Sequence, residues 1–246
     1  MKTLMLEEMS YPEVANALAD GYKTVIIAAG ATEQHGPHLP IGTDNMLGII
    51  FAKALAEELG NTLIAPIIPL GLSRAFIAYP GSLTIKHHTF MALLEDFVDG
   101  YVQHGFETII LLPSHFGNFA VMGKFAKEAA AKYPDTKIIC CFNYDVLASI
   151  NKQSFEMDGV SANIAGTHAG EAETSMMLAF YPDFVDMALA EEGFTGDLDG
   201  VRDKMLEEGV QTIAKNGILG DARLASAERG KKIAERLLKA FAENIH

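Results

Sequence analysis

Three side chains in the first fifth of the sequence are of the types that hold divalent metal ions. Glu33 and His35 flank Gln34 in Gly30-Ala31-Thr32-Glu33-Gln34-His35-Gly36-Pro37-His38, and Asp44 follows shortly after. Residues two apart in an extended segment point to one face, so Glu33 and His35 can approach the same point. A carboxylate has two oxygens, enough for Asp44 to bridge ions ~3.5–4 Å apart. Pro113-Ser114-His115-Phe116-Gly117-Asn118 adds a nitrogen donor in His115. A pair of ions needs a further carboxylate. Gly166-Thr167-His168-Ala169-Gly170-Glu171-Ala172-Glu173-Thr174-Ser175 offers Glu171 and Glu173, with His168 beside them. Acids at the mouth of a helix also meet the positive end of its dipole.

Each of these residues has an ordinary reading taken alone: a solvated loop, an N-cap at Asp44, a core histidine at His115, acidic first-turn residues at 171 and 173. Their positions relative to the elements favour a shared site. Thr24–Ala29 reads as a buried strand that runs into the Glu33 loop, and Thr108–Leu112 as one that runs into the His115 loop. Ligands of parallel sheets gather beyond the carboxyl ends of strands. Further apolar runs at 63–68 and 138–142 predict two more strands. Helices are expected over 10–20, 44–59, 87–104, 118–132, 170–180 and 223–244. Strand and helix alternating at this spacing predict parallel βαβ units covered on both faces, in one α/β domain spanning residues 1–246. The acidic stretch 183–222 is expected to be irregular, with a mobile or inter-subunit segment.

A formal net charge of −13 argues against a nucleic-acid partner. The two cysteines, Cys140 and Cys141, are adjacent inside an apolar run and read as small core residues, which fits a cytoplasmic chain. Neither a secretory h-region nor a membrane span is visible. The loop after the first strand lacks GxxxxGK[ST] and GxGxxG, so it makes no phosphate cradle. A catalytically silent binding protein would be expected to lose the ligand types, and Glu33, His35, Asp44 and His115 are all present.

The stretch from Gly30 to Asp44 resembles the signature of the creatininase (creatinine amidohydrolase) family. Tyr79-Pro80-Gly81-Ser82-Leu83-Thr84, His115-Phe116-Gly117-Asn118, His168-Ala169-Gly170 and Gly220-Asp221-Ala222-Arg223-Leu224-Ala225 resemble further segments of that family, in order along nearly the whole chain. The resemblance implies a three-layer α/β/α sandwich with a mainly parallel central sheet. It implies a homo-oligomer, with hexamers among the known forms, and two divalent ions, Zn, Mn or Fe, that serve hydrolysis of small amides. Glu33, His35, Asp44 and His115 then correspond to metal ligands, with Asp44 bridging, and His168 to the catalytic acid/base. Glu171 or Glu173 supplies the missing carboxylate, with Glu173 the better match to the motif. Arg74, Tyr79, Ser82, Phe116, Gly117 and Asn118 are the candidates for contacting a small-molecule substrate. Two departures stand out. Creatininase carries a metal-ligating glutamate two residues after the loop histidine, where this chain has Gly117. It also uses tryptophans at its substrate pocket, and this chain has none. Both argue against creatinine itself and leave formamides, cyclic sugar-derived ketones and peptide-like precursors as alternatives.

Overall fold

The computed structural model describes residues 2–245, without the side chains of residues 148, 151, 152, 155 and 156. Its elements in chain order are α1 (Tyr11–Ala19), β1 (Thr24–Ala29), α2 (Thr43–Leu59), β2 (Thr62–Ile64), α3 (His87–Gln103), β3 (Thr108–Pro113), α4 (Phe119–Lys132), β4 (Lys137–Cys140), α5 (Tyr144–Asp158), α6 (Ala162–Ala165), α7 (Glu171–Phe180), α8 (Arg202–Glu208) and α9 (Ala227–Ile245). Several short 3-10 turns link them, most of them between α7 and α9.

The four strands are all parallel, in the order β2-β1-β3-β4. Alternate residues feed two cores. Val25, Ile27, Ile109 and Leu111 face a layer shared with α1, α3 and α4. Ile26, Ala28, Ile110 and Leu112 face the layer of α2, α5, α7 and α9. This period of two, with apolar residues on both sides, is why the strands read as unbroken apolar runs. The chain leaves β1 toward β2 on one side and reaches β3 and β4 on the other, so the order reverses between β1 and β3. The crevice at such a reversal is where parallel sheets bind ligands.

Sequence signals fix several ends. Ser10 and Glu13 form a capping box at the start of α1, with Pro12 in its first turn. α9 buries Gly230, Ile233, Ala234, Leu237, Phe241 and Ile245, a stripe at helical spacing. Several ends differ from expectation, among them β4, which stops at Cys140, and α9, which opens at Ala227. The run 63–68 is a regular strand only to Ile64; Pro66 has no N–H to donate, and pairing with β1 resumes at Ile68. α2 opens at Thr43 after Gly42, so Asp44 lies inside the first turn and does not cap it. Helices α5, α6 and α8 were not expected from the pattern. No helix among the described residues is long and apolar enough to cross a membrane.

Candidate metal centre

The loop after β1 delivers Glu33 and His35, the first turn of α2 delivers Asp44, and the loop after β3 delivers His115. His168 precedes α7 and Glu173 lies in its first turn. The six side chains meet in one place. His35 Nε2 is 3.4 Å from Asp44 Oδ1 and 3.8 Å from Glu173 Oε2. His115 Nδ1 is 3.0 Å from Asp44 Oδ2 and 3.4 Å from Glu33 Oε1. His168 Nδ1 is 3.3 Å from Glu33 Oε1. The two oxygens of Asp44 thus face different histidines, with Glu33 at one end and Glu173 at the other.

Each histidine is anchored by the main chain. The His35 Nδ1–H donates to the carbonyl of Glu33 at 3.0 Å, and the His168 Nε2–H to that of Gln34 at 2.6 Å. The His115 Nε2–H points at the Leu72 carbonyl over a long 3.5 Å. A carbonyl only accepts, so the anchored nitrogen of each ring carries a proton and the other nitrogen faces the carboxylates, where it can meet a metal ion. Metal-binding histidines are oriented in this manner. The His168 ring is also stacked on Phe76, with centroids 4.1 Å apart.

The electrostatics follow from burying so many acids together. Burial raises the Glu33 carboxyl to about 7, against the pull of His115. Burial likewise raises Glu173. Burial works against charge on His35, yet Asp44 and Glu173 lift its ring to about 10. Burial opposes charge on His115 too, but Glu33 and Asp44 lift it to about 9. Burial resists ionisation of Asp44, and the two histidines overcome it, holding its carboxyl well below the usual range. His168 goes the other way: burial, then the charge of His35, keep its ring neutral. The field of these carboxylates demands positive charge at the positions of His35 and His115, and a divalent cation supplies more of it than a proton does.

A test of fit for metal comes from unpaired atoms. Both oxygens of Glu33, His35 Nε2 and Asp44 Oδ2 are buried without a hydrogen-bond partner. Buried polar atoms are normally paired, and several orphans converging on one volume fit an ion. Glu33, Asp44 and His115 bring ligand atoms within 4.8 Å of one another, as do His35, Asp44 and Glu173. Oxygen and imidazole donors in sets of three, sharing one carboxylate, suit a pair of Zn- or Mn-type ions.

The profile described as creatininase, creatinine amidohydrolase, matches residues 7–245. The chain belongs to the creatininase family. Its relatives include the 3-dehydro-scyllo-inosose hydrolase of Thermotoga maritima, 30% identical over 87% of this chain and 74% of that one. The mycofactocin precursor peptide peptidase of Mycolicibacterium smegmatis is 28% identical over 90% of this chain and 83% of that one. In fold, the chain superposes on a solved glutamate-to-glutamine mutant creatininase of Zn–Zn type with a TM-score of 0.80, at 24% identity, covering 99% of this chain and 97% of that one. Like its relatives, this creatininase-family chain is a hydrolase.

Within the family frame, the remaining expected residues divide. Glu171 is absent from the cluster. Its two oxygens receive the Nε and Nη2 of Arg229 at 3.0 Å each, and Ser175 donates to it at 2.8 Å. Arg74, Phe116 and Gly117 line a cavity of about 110 Å3 over Asp44, His115, His168 and Glu173. Tyr79, Ser82 and Asn118, expected near substrate, serve the framework. The Tyr79 hydroxyl donates to the carbonyls of Ala214 and Lys215. Ser82 Oγ accepts from the Gln34 N–H. The Asn118 amide joins the ends of β1 and β3, donating to Ala29 and Gly30 and accepting from the Leu72 N–H. Its own N–H donates to the His115 carbonyl at 3.0 Å. Gly117 has a steric reason: a Cβ there would stand 2.5 Å from His115 Nε2 and 2.7 Å from the Leu72 carbonyl.

Pattern reading missed Gln34, Phe76 and Arg229. Gln34 donates to Gly217 and accepts from Gly36, which closes the loop around His35. Its place between two ligand types was the available signal. The aromatic partner of His168 and the basic partner of Glu171 lie far off in sequence and gave none. The exposed His87, His88 and His104 lie outside the cluster, as expected.

Proposed function

We propose that Glu33, Asp44 and His115 hold one divalent ion, that His35, Asp44 and Glu173 hold a second, and that the chain hydrolyses the C–N bond of a small, cyclic amide. The observation that carries this reading is the division of Asp44, one oxygen toward each histidine, inside a buried set of unpaired donors. When bound, such ions polarise a carbonyl and make water acidic enough to act as nucleophile near neutral pH. The protein's own part is positioning and proton movement. His168 presents an unprotonated Nδ1 to the centre while its Nε2–H is tied to Gln34, so it can take a proton at Nδ1 and return it to the leaving nitrogen. Stacking on Phe76 fixes the ring for that transfer. Arg74 and Phe116 border the cavity through which substrate reaches Asp44.

A second reading, hydrolysis of a cyclic sugar-derived ketone, is favoured by the 30% identical inosose-derivative hydrolase and by the absence of tryptophan. Metal analysis after loading with Zn2+ or Mn2+ tests the central claim. About two ions per chain are expected, falling below one in Asp44→Ala together with activity. An unloaded wild type, or an Asp44→Ala variant that keeps both ions, would overturn it. Screening the loaded protein against cyclic amides, formamides and cyclic ketones separates the two readings.

A further inference from the structure

Behind Glu173 lies a second cavity of about 90 Å3, set among the side chains of the layer that holds α2, α5, α7 and α9. Phe51, Leu112, Phe142, Ile150, Ile233 and Phe241 give it mainly apolar walls, with Ser114, Ser154 and Arg229 as polar exceptions. Phe116, Thr167 and Glu173 line both this chamber and the cavity over the metal centre. The two spaces therefore meet at three side chains, one of them in the donor cluster. The partition is a loop feature. Phe116 is half-buried in the turn Phe116–Asn118, and its ring packs edge-on against the exposed Tyr144 at 5.2 Å. Native cores leave few voids larger than a water molecule, because an unfilled void forfeits the contacts of its walls. A void of this size beside a cluster of catalytic donor types is placed to be filled by something that enters with the substrate.

We infer that this chamber receives an apolar substituent of the substrate whose carbonyl sits at the metal centre; the inference rests on the hydrolase reading above. Size narrows the class. An apolar cavity of ~150 Å3 takes up benzene, so a chamber of about 90 Å3 suits a branched aliphatic group of a few carbons and not a fused ring. The substrate is an amide carrying such a group beside the scissile carbonyl.

Calorimetry of the metal-loaded protein with two chelating probes, acetohydroxamate and 3-methylbutanohydroxamate, tests this. The second differs by three buried carbons, each worth about fourfold in affinity, so it should bind about fiftyfold tighter. Ile150→Phe, which fills the chamber, should reduce that ratio to below about fivefold. Phe142→Leu, which enlarges it, should move the preference to a longer straight-chain hydroxamate, whereas mere damage to the fold would weaken all probes alike. Equal affinities for the two probes in the wild type would overturn the chamber and leave the metal centre standing. Failure to take up metal, with neither hydroxamate bound, would overturn the two-ion reading of the site and the inference with it.

Discussion

At the scale of residues, the instructive pair is Glu171 and Glu173. They lie two positions apart on a helix that turns about 100° per residue, so they face nearly opposite sides. Glu173 meets His35, while Glu171 meets Arg229 from α9. Their roles should separate cleanly on substitution. Glu173→Gln should lose one metal equivalent and at least about a hundredfold in activity while the protein remains folded, read by metal analysis and turnover. Glu171→Gln should keep both ions but lose about 2–3 kcal/mol of stability, because it strips a buried partner from Arg229, read by denaturant unfolding. Equal metal loss in both variants would refute the division. The sequence alone could not decide between the two acids. The choice depends on where α7 starts and on a cation that follows 58 positions later. Glu33 and His35, by contrast, were legible because the period of an extended segment is local. His115 was legible because it sits where a strand ends.

At the scale of elements, α9 is the clamp that sets α7, and so Glu173, in place. Gly230 lets the helices approach so closely that a Cβ there would stand 1.9 Å from the Ser175 carbonyl. Arg229 and Arg236 of α9 both donate to Asp158 at the end of α5. Hydrogen bonding from Arg236, outweighing partial burial, holds the Asp158 carboxyl below its ordinary value. A carboxyl depressed in the folded state adds stability above its unfolded pKa of ~3.9, and that contribution is lost as pH falls through the folded value. Wild-type stability should therefore drop on acidification from about pH 5 downward. Asp158→Asn, less stable at neutral pH, should show a shallower drop. An unchanged acid limb in urea titrations would argue against the clamp. Strands β1 and β3 and helices α2, α3, α4 and α7 were readable from apolar runs and their stops. α5 was not: its buried Val146, Ile150 and Ser154 mix a polar residue into the stripe. Its partners α6 and α9 become evident only once the chain has folded.

At the scale of the whole molecule, the order β2-β1-β3-β4 places the crevice between β1 and β3, and the donors descend into it from both strand ends and from α7. Three nearby acids, Glu33, Asp44 and Glu173, are thereby gathered in a volume that is largely out of water. Without a cation this arrangement relies on protons, chiefly on His35 and His115, so the metal-free fold stores unfavourable electrostatics at its centre. Ions that bind the native state alone stabilise it by mass action, ~4 kcal/mol at a thousandfold excess over the dissociation constant. For a chain of this size each kcal/mol shifts Tm by about 2–4 °C. Prolonged chelation should therefore lower Tm by about 10 °C, and readdition of Mn2+ or Zn2+, but not Ca2+, should restore it. In Asp44→Ala the chelator should have little effect, since the shared ligand is gone. A wild-type Tm indifferent to chelator and to added metal would mean that the central acids are satisfied by protons alone.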